Sequence, residues 1–266
     1  MSKIYEEKSE GKMKTNTLRP ILLFVATILL IASSACGSKK PTPEATIVVP
    51  VEPVPSFDCS KVTDVPQAEC EALLVLYSTT NGSGWLNKTG WMESLTLGEW
   101  YGVKVAKGHI TSLNLSKNQL KGYLPADLGA LTYLGYLDLN NNALTGNIPS
   151  ELGSLTELRS LILSFNQLTG QIPASLGSLS KLTILLLSEN QLNGSVPGEL
   201  SNLANLQQLF LYENQLTGSL PVSLINLTSL KSFGFYSTNL CEPATSDFQT
   251  WKTSVEKYYG NGSVCK

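Results

Sequence analysis

A single histidine, His109, sets the chemical limits of this 266-residue chain. Nucleophilic catalysis by a serine or cysteine needs an imidazole held beside the nucleophile and oriented by a third group. One histidine directly before an extended segment supplies no such set, and His109 is expected as a surface residue of a cap. There is no His-Glu-x-x-His, no glycine-rich phosphate loop leading into a helix, and no Gly-x-Ser-x-Gly elbow; Gly82-Ser83-Gly84 is an isolated loop motif. Two carboxylates can hydrolyse a glycoside when they face each other across a cleft, but Glu189 and Glu213 border an apolar surface instead. None of the five cysteines has the close paired spacing of a zinc site. We therefore expect no catalytic residue, no metal and no cofactor. Charged residues are 15% of the chain and the net charge is -2, with no basic excess to neutralise phosphates, which argues against nucleic acid as a partner.

What remains is binding chemistry, and the elements that would position it are visible as a repeat. From Ile110 the sequence recurs every 24 residues, with units beginning at Ile110, Leu134, Leu158, Leu182 and Leu206 and a partial sixth at Leu230. The third unit reads Leu158-Arg-Ser-Leu-Ile-Leu-Ser-Phe-Asn-Gln-Leu-Thr-Gly-Gln-Ile-Pro-Ala-Ser-Leu-Gly-Ser-Leu-Ser-Lys181. Strict register over five units marks a stacked-coil architecture in which no unit can bury its apolar face alone. In the third unit Leu158, Leu161 and Leu163 point inward, the last two alternating as a strand requires. Position nine is Asn118, Asn142, Asn166, Asn190 and Asn214; an interior asparagine must satisfy both its carbonyl and its amide, and stacked copies can do so against the backbone of adjacent coils. Position thirteen is Gly122, Gly146, Gly170, Gly194 and Gly218, where a turn can demand positive φ. Pro125, Pro149, Pro173, Pro197 and Pro221 exclude a regular helix on the outer side and favour extended or 3₁₀-like backbone.

This unit closely resembles that of the plant-type leucine-rich-repeat family, Leu-x-x-Leu-x-Leu-x-x-Asn-x-Leu-x-Gly-x-Ile-Pro. The likeness is strong over 110–240. It extends to 57–109, where Cys70-Glu-Ala-Leu-Leu-Val-Leu-Tyr to Trp85 and Gly98-Glu-Trp-Tyr-Gly-Val103 look like the N-terminal cap of bacterial members, without the extra cysteines often found around the Trp-Tyr-Gly segment there. Leu240-Cys-Glu-Pro and the stretch from Phe248 through Trp251 to Cys265 look like a closing cap. The resemblance implies a mainly β, α/β-class solenoid: a right-handed superhelix with a parallel sheet on its concave face, 3₁₀ or extended segments on its convex face, and recognition as its work. Caps are needed because an open stack exposes strand edges and leucines. Residues 68–77 read as a short amphipathic helix able to cover the first coil with Leu73, Leu74, Leu76 and Tyr77. Trp85, Trp91, Trp100 and Trp251 could form a carbohydrate platform; burial as cap core is the favoured reading.

Positions two, three, five, seven and eight of each unit are expected to face outward. Position five reads Asn114, Asp138, Ile162, Leu186, Phe210, Gly234. With Phe165, Ile184, Tyr212 and Tyr236 the last strands carry an apolar patch, edged by Glu189 and Glu213; strands ~4.8 Å apart bring such side chains into contact. Clustered apolar residues on a solvent-facing sheet mark an interaction site, and the two carboxylates suit a protein partner with basic groups. Asn114 and Asp138, on the polar half, read as solvated. The alternative partner is a polysaccharide, in the manner of plant polygalacturonase-inhibiting proteins, through Tyr136, Tyr212 and Tyr236; a third reading is a structural adhesin.

Residues 1–36 read as an export signal: Lys12, Lys14 and Arg19, then an apolar run from Ile21 to Ala32, then Ser33-Ser34-Ala35-Cys36. The run is shorter than the ~18–20 residues of a spanning helix. The small residues before Cys36 resemble a bacterial lipobox, with Ser33 in place of its usual leucine, and imply a lipid anchor at Cys36 on the outer face of a bacterial membrane or cell surface; cleavage after Ala35 and secretion is the alternative. Residues 37–56, with five prolines, read as an extended tether. Setting Cys36 aside leaves Cys59, Cys70, Cys241 and Cys265, an even number with three possible pairings, of which proximity favours Cys59–Cys70 and Cys241–Cys265. The expected organisation is then signal 1–36, tether 37–56, N-terminal cap 57–109, five repeats over 110–229, and partial repeat with C-terminal cap over 230–266. Six Asn-x-Ser/Thr sequons, at Asn81, Asn87, Asn114, Asn193, Asn226 and Asn261, bear on the origin of the chain: a glycan on Asn114 would cover the polar half of the display surface.

Overall fold

The computed structural model describes residues 57–266; the segment expected to be an export signal, Cys36 and the Pro-rich segment expected to be a tether lie outside the described residues. The chain winds into stacked coils, each contributing one short strand to an eight-stranded sheet whose spatial order follows the sequence. These strands are β1 (Val103–Ala106), β2 (His109–Asn114), β3 (Tyr136–Asp138), β4 (Ser160–Ile162), β5 (Ile184–Leu186), β6 (Gln208–Phe210), β7 (Ser232–Gly234) and β8 (Lys257–Tyr259). β2 to β8 run parallel, and β1 joins β2 as an antiparallel hairpin. Leu113, Leu137, Leu161, Leu185, Leu209 and Phe233 pair in register and are fully buried, forming one interior row. Burial of each such leucine contributes roughly 2 kcal/mol.

The asparagine column links one coil to the next. Asn166 is typical: its Oδ1 accepts from the Leu144 amide of the preceding coil at 3.1 Å, and its Nδ2 donates to the carbonyls of Leu139 and Leu163 at 3.1 and 3.0 Å. Asn118, in the first coil, turns instead to the cap, accepting from the Asn87 amide at 2.6 Å and donating to its carbonyl at 2.8 Å. The position-thirteen glycines all have positive φ, between 72° and 118°. Each proline leads into a 3₁₀ turn on the far side of the coil, from Ala126–Ala130 to Val222–Asn226.

Both ends are closed. Helix α1 (Gln67–Thr79) buries Leu73 and Leu76 in the core and Tyr77 against Trp85 and Trp91, with Cys70 bonded to Cys59. Trp85, Trp91 and Trp100 pack edge-to-face and tilted behind it, with successive centroids 4.7 Å apart, and are at most 4% exposed, so they are cap core and not a sugar platform. Helix α2 (Ser246–Ser254) places Phe248 and Trp251 over the last coil, and Cys241 is bonded to Cys265. In that coil Phe233 and Phe235 replace the leucines of earlier units, and Asn261 extends the ladder by donating to the Leu240 carbonyl at 2.6 Å. Among the described residues no helix is long and apolar enough to cross a membrane.

Candidate functional site

Side chains at positions three and five flank each buried position-four residue and lie on the outer face of the sheet. The register runs Asn114, Asp138, Ile162, Leu186, Phe210, Gly234 and then Tyr259 from the tail. Ile162, Ile184, Leu186, Phe210 and Tyr212 are half-buried, a state that β-branched and aromatic side chains reach when they lean on neighbours across strands. Phe165 and Tyr236 are exposed, at 44% and 37%.

Gly234 explains how the aromatic end is built. A side chain there would begin 3.2 Å from both the Phe210 and Tyr212 rings, so its absence gives those rings their place over β7. Phe210 and Tyr212 sit 5.7 Å apart, and Tyr212 stacks on Tyr236 at 4.5 Å with planes inclined by only 8°. Burial first, and then the nearby Tyr212, Glu213 and Glu189, raise the Tyr236 phenol above its ordinary value. The Glu189 amide donates to the Tyr212 carbonyl at 3.0 Å and the Glu213 amide to the Tyr236 carbonyl at 3.1 Å, so both glutamates stand beside the aromatic stack.

Position eight has its own backbone. Lys117, Asn141, Phe165, Glu189, Glu213 and Ser237 all have φ between 52° and 58°, the left-handed region. Asparagine enters it readily, whereas a bulky residue there is strained by roughly 1–2 kcal/mol. Phe165 and both glutamates are held at the rim by this turn.

The polar half departs from the solvated reading. Asp138 is only 6% exposed: Oδ2 accepts from the Tyr136 hydroxyl at 2.9 Å, and Oδ1 accepts from the Asn140 amide and side chain at 3.0 and 2.6 Å. Ser160, Ser164, Ser188 and Ser232 are likewise buried, so not every outward position is displayed. Asn114 is exposed, its Oδ1 accepting from Ser116.

His109 also differs from a free cap residue. It opens β2, half-buried, with Nδ1 2.6 Å from the buried Glu69 carboxylate and its ring stacked on Tyr133 at 3.6 Å. Among the described residues no group of three His, Cys, Asp or Glu is placed to hold a metal. Tyr259 was not foreseen as part of this face: β8 pairs Lys257 with Ser232, a step of 25 residues that breaks the period. Its signal is the alternation Lys257-Tyr258-Tyr259, with Tyr258 inward and Tyr259 47% exposed.

Comparison with known proteins gives a consistent picture. No curated protein matches the chain. Solved structures do. The PEPR1–AtPEP1 structure aligns with TM-score 0.65 and 28% identity over 73% of this chain, which spans 28% of that chain. The ectodomain of the receptor kinase SOBIR1 from Arabidopsis thaliana gives 0.58 and 28%, over 67% of this chain and 97% of that one. A plant ice-binding protein gives 0.64 and 30%, over 71% and 61%. The family model described as a leucine-rich repeat region matches residues 109–257, more than half of the sequence, and the chain belongs to the leucine-rich repeat family.

Proposed function

We propose that the chain is an exported module that binds a protein partner through the outer face of its main sheet, which we take as the concave one. The observation that carries this is the in-register column Ile162, Leu186 and Phe210, continued by the Tyr212–Tyr236 stack and edged by Glu189 and Glu213. An apolar surface of that extent, rimmed by charge, is what a partner with an apolar anchor and flanking Lys or Arg would cover. Structural relatives that include PEPR1 solved with AtPEP1 and a receptor-kinase ectodomain support a peptide or protein ligand. A plant ice-binding protein shares the fold, so the assignment rests on the residues of this face and not on the fold. The two disulfides fit an oxidising compartment. Tethering through a lipid on Cys36 belongs to the same proposal.

A polysaccharide is a weaker reading of the same face. Tyr136 already gives its hydroxyl to Asp138, and one ring face of Tyr212 is covered by Tyr236. Catalysis has no constellation to support it here, and we assign none.

The test is a double variant, Leu186→Asp with Phe210→Asp. Both residues are half-buried, so the fold should survive while capture of extracellular proteins by the immobilised chain falls at least about a hundredfold. The wild-type chain run against a glycan array in parallel should give no specific signal. Undiminished protein capture by the double variant would remove this surface from consideration. Mass spectrometry of the mature N-terminus tests the acyl group on Cys36.

A further inference from the structure

A second surface feature lies away from the aromatic patch, where the coils turn into β2, β3 and β4. A cleft of about 420 Å³ opens there between Tyr133 and Arg159, with Lys107 and His109 at one end. Gly135 is among its lining residues. The equivalent positions in other coils carry Thr111, Arg159, Thr183, Gln207 and Lys231. Neither conformation nor packing requires glycine here: Gly135 has no positive φ, and a side chain would begin 3.6 Å or more from its neighbours, at ordinary contact distance. Only the space it leaves distinguishes it.

The walls carry two cations, Lys107 and Arg159, and one carboxylate, Glu157, whose ion pair is made with Lys181. Arg159 is steadied by donating from Nη1 to the Glu157 carbonyl at 3.0 Å, while the Glu157 carboxylate is paired with Lys181 at 2.5 Å. Lys107 and Gly108 occupy the two left-handed positions of the β1–β2 turn, φ 55° and 75°. Asn, Asp or Gly would suit the first of these better, so a lysine sits there against local preference. Among the described residues neither Arg159 nor Lys107 is within ion-pair distance of a carboxylate. The remaining wall is a rigid aromatic plate: His109, held by Glu69, lies nearly parallel to Tyr133, with planes inclined by 13°.

We propose that this cleft receives an acidic side chain, Asp or Glu, of a protein partner, its methylenes against Tyr133 and its carboxylate between Arg159 and Lys107. A phosphate would call for a nest of free backbone amides, but those of Gly135 and Arg159 are already bonded to the Thr111 and Gly135 carbonyls. A sugar would call for hydroxyl-directed polar groups, and the Thr111 hydroxyl is turned to the Lys104 carbonyl. The proposal shares the protein-binding reading but not its surface.

The test uses the full chain, observed by amide and arginine Nε–H resonances. Titration with N-acetylglutamate N-methylamide should shift the Gly135 and Arg159 signals saturably, at millimolar concentration, while the glutamine analogue should not. Gly135→Leu, which adds a side chain to the lining, and Arg159→Glu should each weaken the response at least about tenfold. The Leu186/Phe210 double variant should keep it, so failure of one surface is separable from failure of the other. Equal shifts with the glutamine analogue, tighter saturation by galacturonate or inorganic phosphate, an unaltered response in Gly135→Leu, or loss of the response in the Leu186/Phe210 variant would each overturn the assignment.

Discussion

Glu69 of helix α1 accepts a hydrogen bond from the backbone amide of Ile110, 2.7 Å away, and so ties the N-terminal cap to the first residue row of the solenoid core. Its other oxygen meets His109. The carboxylate is 3% exposed, whereas the His109 side chain is about a quarter exposed. Removing the carboxylate strands a buried amide; removing the imidazole frees one carboxylate oxygen but leaves the amide bonded and opens that oxygen to the partly exposed site of the ring. Glu69→Ala should therefore cost about 3 kcal/mol and His109→Ala about 1 kcal/mol or less. Urea unfolding of the two single variants checks the order, and equal losses would contradict it.

Asn166 tests the ladder between coils. Alanine there leaves the buried Leu144 amide without its acceptor and takes one of two asparagine donors from the Leu139 and Leu163 carbonyls, which keep those of Asn142 and Asn190. The expected loss is about 1–3 kcal/mol. Asn166→Asp should not rescue it, because the two donors are gone and a charge would be buried. A shift of the denaturation midpoint as small as that of an exposed control such as Gln167→Ala would show that the asparagines are ornamental.

Tyr136 gives a pH dependence. Burial, and after it the hydrogen bond to Asp138, push its phenol up to about 12. The folded state thus holds this proton more tightly than the unfolded chain, whose tyrosines titrate near 10. Stability from this group is complete below pH ~10 and is lost as the pH rises toward 12. Tyr136→Phe should remove one phenolate absorbance that rises near pH 12 and flatten the fall of stability in that window. An unchanged alkaline titration curve in the variant would place the Tyr136 phenol at its ordinary value.

The fold was legible because every interior role recurs at a fixed interval. Leu137, Leu161, Leu185 and Leu209 needed only counting, and the asparagines and glycines of positions nine and thirteen had tasks that few other residues perform. The pairing of Cys59 with Cys70 and of Cys241 with Cys265 followed from proximity and was observed. Parts outside the period were not legible. β1 owes its place to a two-residue turn at Lys107-Gly108, and β8 to a 25-residue step. The aromatic columns of the display face could be listed from the sequence, but the Tyr212–Tyr236 stack depends on the room left by Gly234, and the rim cleft on the room left by Gly135. An empty position carries no signature in a pattern of side chains. Nor could alternation show that Asp138 would be drawn under by Tyr136 and Asn140.

Because each coil bonds only to the coils directly before and after it, the chain can be lengthened or shortened by one whole unit without disturbing either end. The Asn118 bridge to Asn87 and the Asn261 bond to Leu240 would be untouched by a 24-residue insertion after Lys181. Such an insertion would move the Tyr212–Tyr236 stack away from Arg159 by one increment of ~4.8 Å. The molecule is in this sense a ruler graduated in strand widths, and the span between its basic notch and its aromatic end is a quantity that descent can alter only in whole steps.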